Sequence, residues 1–253
     1  MRSGIGPRPH LEEMGIEVKV DLPGVGENLH DHYLVPVIAE ATKRQIDAPR
    51  DGVSVAQTHL FASSPAADEN PDTQPINFSV PMYQTGMTGP ANAFTLQAGL
   101  VATKSRGRLR LSGPNLTDPP LIDLAALADK RDEDALLYSL RQCRDIVCQP
   151  ALREAWGAVE IYPGPQVETE EQERDYIRSA VVTYHHQVGT CRMGTDAGAV
   201  VDPTLKVHQV SALFVIDASV MPTVPSGNTN APAIMIGERG AEFVLADLQP
   251  SIT

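Results

Sequence analysis

Cysteine, aromatic and basic residues are all scarce in this chain, and long apolar runs are missing altogether. Three cysteines (Cys143, Cys148 and Cys191) are too few and too scattered for a disulfide framework, so a reducing compartment, the cytoplasm, is the expectation. Aromatic residues make up 5% of the chain, with one tryptophan. That leaves little from which to build an aromatic cage for an organic cation. Against 32 Asp and Glu stand 20 Lys and Arg, a net charge of −12. A surface of that sign repels a phosphate backbone, so nucleic acid is not an expected partner. No stretch reaches the roughly 18 apolar residues of a spanning helix. The opening residues, Met1 to His10, lack the apolar core of a signal peptide. What is present is ordinary: 42% hydrophobic residues over 253 positions, enough for a large core in one domain or two.

The patterning changes twice along the chain. Ser3-Gly4-Ile5-Gly6-Pro7 is turn chemistry, followed by a short helix predicted around His10 to Met14 and a strand from Glu17 to Val20. Pro23-Gly24-Val25-Gly26 reads as a turn. From Leu34 the segments Leu34 to Ala41, Val53 to Phe61, Ile76 to Tyr83, Phe94 to Thr103 and Arg108 to Leu111 are strand-like, several with partial period-two alternation. Strands in succession without intervening helices predict a mostly antiparallel sheet. Helices come next. Leu136, Leu140, Cys143 and Val147 lie on one helical face, so Asp132 to Gln149 is expected to be an amphipathic helix stopped by Pro150. Thr169 with Gln172 is a capping-box pair opening a helix to about Val181. Leu213 to Ile216 reads as a short buried strand, and Ala231 to Leu248 as a final helix with Asn230 at its cap and Pro232 in its first turn.

Most common catalytic patterns fail. His30-x-His32, His185-His186 and Cys191 offer ligand atoms, but no Cys-x-x-Cys or His-Glu-x-x-His spacing exists, so no metal site is expected. Neither Ser3 nor Ser226 sits in a Gly-x-Ser-x-Gly elbow, and no phosphate-binding loop occurs. Gly24-Val25-Gly26 lacks the third glycine and the helix of a dinucleotide fingerprint. Two stretches stand out. Tyr184 to Gly194 places two adjacent histidines beside Gly189 and Gly194, glycines that suggest close backbone approach. Met221 to Pro232 is a polar loop entering a helix, and helix capping by Asn230 leaves Asn228 unexplained.

Together these residues resemble the C-terminal part of the glucose–methanol–choline (GMC) oxidoreductases, flavin-dependent enzymes that oxidise alcohols. The likeness rests on Ser3 to Pro7, Leu22 to His32, Ser105-Arg106-Gly107, His186 to Thr190, Asp202-Pro203, Asp217 to Pro222 and Gly227 to Pro232, in that order. The Asn-Thr-Asn-Ala-Pro form at 228–232 is similar to choline dehydrogenases and acceptor-linked alcohol dehydrogenases. The resemblance implies an α+β fold. A mostly antiparallel substrate-domain sheet with flanking helices would span 34–199, bracketed by α/β pieces of an FAD-binding domain at 1–33 and 200–253. It places His186 on the active-site histidine and Asn228 on the second catalytic position. Asp217, Ala218, Asn228 and Thr229 fall on the positions that contact FAD. The implied reaction removes the hydroxyl proton of a small-molecule alcohol and moves hydride from its carbon to the flavin N5 atom, giving an aldehyde or ketone. Histidine suits the first task because it titrates near neutral pH, and an amide can orient and stabilise the substrate oxygen.

One element of that family is not among these residues: the strand, Gly-x-Gly-x-x-Gly turn and helix that hold the ADP half of FAD. Without it the chain is expected to be inactive, with Leu213 to Ile216 lacking sheet partners. Two functional classes stand open. One is part of an FAD-dependent alcohol dehydrogenase or oxidase; the other is a truncated, non-catalytic homologue serving as a binding or structural module. The scarcity of aromatics favours a neutral or apolar primary alcohol over choline. The electron acceptor is left open between oxygen and a quinone or other carrier, the latter implying peripheral membrane contact.

Overall fold

The computed structural model describes residues 1–248. In chain order its elements are β1 (Ile5–Gly6), α1 (Arg8–Glu13), β2 (Val20–Asp21), β3 (Tyr33–Ala41), β4 (Ala56–His59), β5 (Ile76–Phe78), β6 (Ala93–Leu100), β7 (Arg108–Arg110) and β8 (Leu121–Asp123). There follow α2 (Lys130–Val147), α3 (Pro150–Arg153), β9 (Ala158–Tyr162), α4 (Glu170–Ala180), β10 (Val182–Thr183), a 3-10 turn (Ala218–Val220) and α5 (Asn230–Leu248). Contacts divide the chain into two units: Met1–Asp31, Ser105–Ala128 and His185–Thr253 form the first, His32–Lys104 and Asp129–Tyr184 the second. The hairpin β7–β8 and the histidine loop cluster with the first unit rather than with the sheet.

The second unit is built on a six-stranded antiparallel sheet in the order β10-β3-β6-β5-β4, with β9 also paired to β3. Eight of nine β3 residues and all of β6 are buried; β3 reads as a nearly continuous apolar run rather than an alternating one, whereas β6 also buries Thr95 and Gln97. Pro36 interrupts the run, yet a central strand normally excludes proline. It is tolerated here because β10 pairs with Tyr33 and Leu34 while β9 pairs from Ile38 onward. Pro36 falls in the gap between them, and its carbonyl accepts from the Tyr176 hydroxyl at 2.7 Å. Helix α2 packs against β6 and β3 through Leu136, Leu140, Cys143 and Val147, all buried. Each fully buried leucine contributes about 1.5–3 kcal/mol. Asp129 caps α2 by accepting from Arg131 N at 3.0 Å. The predicted capping box opens α4, with Thr169 Oγ1 accepting from Gln172 N and Gln172 Oε1 from Thr169 N.

The first unit has a small core of its own, with Leu22, Val188, Val201, Val220, Val224 and Ile236 at its centre. Around it lie the parallel pair β1–β2 and the antiparallel hairpin β7–β8. Gly24 is packed so closely on the Gly198 carbonyl that a Cβ would lie 2.1 Å from that oxygen.

Several expectations change. The strand predicted over Glu17 to Val20 shrinks to Val20–Asp21, because only these residues find a partner, in β1. β4 and β5 are short relative to their apolar patterns. Pro150 starts α3 as well as following α2, a proline being well suited to a first helical turn. The largest correction is Leu213 to Ile216, which is no strand. Only Phe214 bridges, to Lys206, and Leu213 is 39% exposed. The run is too short to extend, since Ala212 before it turns at φ +54° and Asp217 caps the 3-10 turn after it.

Candidate active site

The residues singled out in sequence lie on three loops of the first unit. His186 is on the first loop, half-buried. Burial pushes its imidazole below the usual histidine range; the Asp31 carboxylate opposes that fall and His185 adds to it. Asp217 is on the second loop, where its carboxylate accepts from Ser219 N at 2.8 Å and so caps the turn that begins at Ala218. Asn228 and Thr229 are on the third, Asn228 exposed and Thr229 buried. Helix α5 begins at Asn230 itself, earlier than expected, because the Thr229 carbonyl accepts the first bond from Ala233 N at 2.9 Å.

One buried polar segment laces these loops together. The backbone of His30 pairs with Val188, N–H to carbonyl both ways, at 3.2 and 2.9 Å. Its ring is fully buried, with Nε2 accepting from Val224 N at 2.9 Å and Nδ1 lying 2.6 Å from the Asn28 carbonyl. A carbonyl cannot donate, so Nδ1 carries the proton and the imidazole is neutral. Burial holds its pKa down at about 4. Asn28, at φ +60°, donates from Nδ2 to the carbonyls of Pro222 and, at 3.4 Å, Gly189, and accepts from Arg106 Nε at 3.0 Å. Asp31 accepts from His186 N at 2.8 Å and Gln187 Nε2 at 2.7 Å. The histidine loop is tied in turn to the Asp217 turn, by Cys191 N to Ser219 O and Met193 N to Val220 O at 2.9 and 2.7 Å.

Gly189 explains the close approach that its sequence context suggested. It sits at φ +98°, and a Cβ there would lie 2.2 Å from the Asn28 carbonyl oxygen, so only glycine fits. Asn28, His30, Asp31 and Arg106 had no assigned role in the sequence. The available signal was Asn28-Leu29-His30-Asp31-His32 itself, four polar side chains in five positions directly before the apolar run of β3. Among the described residues, no group of three or more His, Cys, Asp or Glu side chains could hold a metal ion.

The loops therefore form one hydrogen-bonded assembly, and comparison with known proteins says of which kind. Residues 103–237, more than half the chain, match the C-terminal family pattern of the GMC oxidoreductases. The chain belongs to the GMC oxidoreductase family. Among its relatives, choline oxidase from Arthrobacter globiformis is 37% identical over 252 residues, covering 96% of this chain and 45% of that protein. An acceptor-linked alcohol dehydrogenase from Pseudomonas putida is 35% identical, over 97% of this chain and 48% of its own length. Among solved structures, pyridoxine 4-oxidase from Mesorbium loti superposes with a TM-score of 0.85 at 32% identity, covering 95% of this chain and 47% of that one. The chain spans about half the length of these GMC relatives. The α+β architecture with its mainly antiparallel sheet is that of the GMC substrate domain.

Proposed function

We propose that this chain carries the proton-handling half of an FAD-dependent alcohol dehydrogenase or oxidase. The observation that supports this reading is the lacing of the His186 and Asn228 loops to one buried segment, within a GMC oxidoreductase chain. His186 takes the hydroxyl proton of a small alcohol. For that it must be neutral when substrate arrives, and burial of the imidazole favours the neutral form. Asn228 donates from its amide to the substrate oxygen as negative charge develops there, holding it in one orientation.

The residues present fit a flavin dinucleotide. Helix α5 runs for 19 residues and has no acidic side chain in its first turn, so the positive end of its dipole is uncompensated and suits an electron-rich or anionic group. Thr229 and Asn228 would face that group at the helix entrance. The Asp217 carboxylate, held by Ser219 N, suits sugar-chain hydroxyls, and the backbone of Ala218 suits a phosphate oxygen. When bound, the flavin would accept the electron pair and hydrogen released by the alcohol carbon.

The relatives include enzymes named for choline, for alcohols and for pyridoxine, which supports a small-molecule alcohol as the substrate class. The test is anaerobic mixing of choline and a panel of neutral primary alcohols with this chain joined to the ADP-binding strand, turn and helix of a GMC relative and loaded with FAD. Bleaching of the flavin by at least one alcohol is expected; no bleaching by any of them contradicts the reading and favours a non-catalytic binding module.

A further inference from the structure

Asp31 is a carboxylate with no exposed surface, and the reaction sketched above gives it no task. A buried charge is rare unless donors surround it. Here the donors come from the histidine loop: Oδ1 accepts the backbone N–H of His186 at 2.8 Å, and Oδ2 accepts Nε2 of Gln187 at 2.7 Å. The loop needs such an anchor. His185, immediately before, is at φ +61°, a left-handed conformation uncommon for residues other than glycine. On the other side the Val188–His30 pair fixes the backbone. His186 is thus held between two consecutive residues of one segment, His30 and Asp31.

We propose that Asp31 is a positioning residue for His186, fixing the direction of its imidazole through the backbone and through Gln187. The proposal deepens the reading in which His186 is the base, and it touches no substrate itself. A second consequence is electrostatic. The charged and titratable groups that bear on the imidazole are Asp31 and His185: the carboxylate favours protonation, His185 and burial disfavour it. Asp31 therefore offsets part of the fall in proton affinity that burial causes.

The test is local and needs no activity. In the chain itself, the titration of His186 is followed by NMR alongside the hydrogen exchange of its amide, in wild type and in Asp31→Asn. The variant keeps the shape and one acceptor oxygen, removes the charge, and turns an NH2 toward one of the two donors. Expected is a His186 pKa lower by ~0.5 or more and an amide that exchanges at least ~10-fold faster, a loss of about 1.4 kcal/mol of protection. An unchanged His186 midpoint and amide protection would overturn the proposal. If Asp31→Asn fails to fold, the wild type still decides. The His186 amide proton should shift with the same midpoint as the Asp31 carboxyl carbon, and independence of the two signals overturns the proposal equally. Should these local effects appear while an alanine at 186 leaves flavin reduction intact, the reading of His186 as base fails and the anchoring by Asp31 stands.

Discussion

His30 has both ring nitrogens committed to the backbone, and protonation would turn its Nε2 from an acceptor into a donor facing the Val224 N–H. Its pKa in the fold is about 4, below the value near 6.5 of a free imidazole. Between those values the unfolded chain binds the proton and the folded chain does not, so stability falls as pH drops from about 6.5 to 4 and the loss is complete below that. At about 1.4 kcal/mol per pKa unit the contribution is on the order of 3 kcal/mol. Urea unfolding at pH 7 and pH 4.5 should show this loss in wild type. In His30→Gln, whose amide oxygen can accept from Val224 N but does not titrate, the loss should be smaller by about 2 kcal/mol. Equal losses in the two proteins would remove His30 as their source. None of this was legible in the sequence. A histidine between Leu29 and Asp31 gives no sign of burial, since its partners Val188 and Val224 are about 160 and 190 positions away. His186 and Asn228 stood out from the residues alone, as one of two adjacent histidines and an asparagine that helix capping leaves unexplained, while the roles proposed for them come from family resemblance. Gly189 was legible as a close approach, but the sequence did not show that Asn28 was the group approached.

At the scale of elements, local patterns served where the cause was local. The capping box of α4 and the apolar face of α2 appear as their residues imply. Leu213 to Ile216 failed because an apolar run of four records hydrophobicity and not partners, which decide whether a strand forms. β8 and its pairing with β7 were also missed, since Leu121 and Ile122 are 57% and 62% exposed and flanked by prolines and aspartates. Between α2 and α4 the charges are plain in the sequence but their pairings are not. Glu173, 8% exposed at its side chain, receives Arg141 Nε at 2.8 Å and an Arg144 amino group at 3.0 Å, while Arg144 also holds Glu160. Removing one member of such a network strands the others, although Arg141 is 46% exposed and can rehydrate. Glu173→Ala should therefore lower unfolding stability by about 2 kcal/mol, well above the cost of an exposed ion pair. A change under about 0.5 kcal/mol in urea titrations would show the network to be dispensable.

At the scale of the whole molecule, the first unit leaves apolar surface open. Ile234, Met235, Leu245 and Leu248 on α5 are 59%, 58%, 62% and 73% exposed, and the parallel pair β1–β2 stands as two strands where such sheets are normally covered on both faces. These surfaces accord with a chain that spans about half the length of its GMC relatives. The residues of the proposed chemistry, His186 and Asn228, and the segment that orders their loops, are all within the described residues. The deciding measurement is therefore the single-turnover rate of flavin reduction by a reactive alcohol, with His186 and with His186→Ala, in the FAD-loaded chain joined to the ADP-binding strand, turn and helix of a GMC relative. With His186 as the base, the alanine variant reduces its flavin ~10²-fold more slowly or worse, at saturating alcohol and unchanged flavin content. An unchanged rate would contradict the assignment of His186 and, with it, the account of the site.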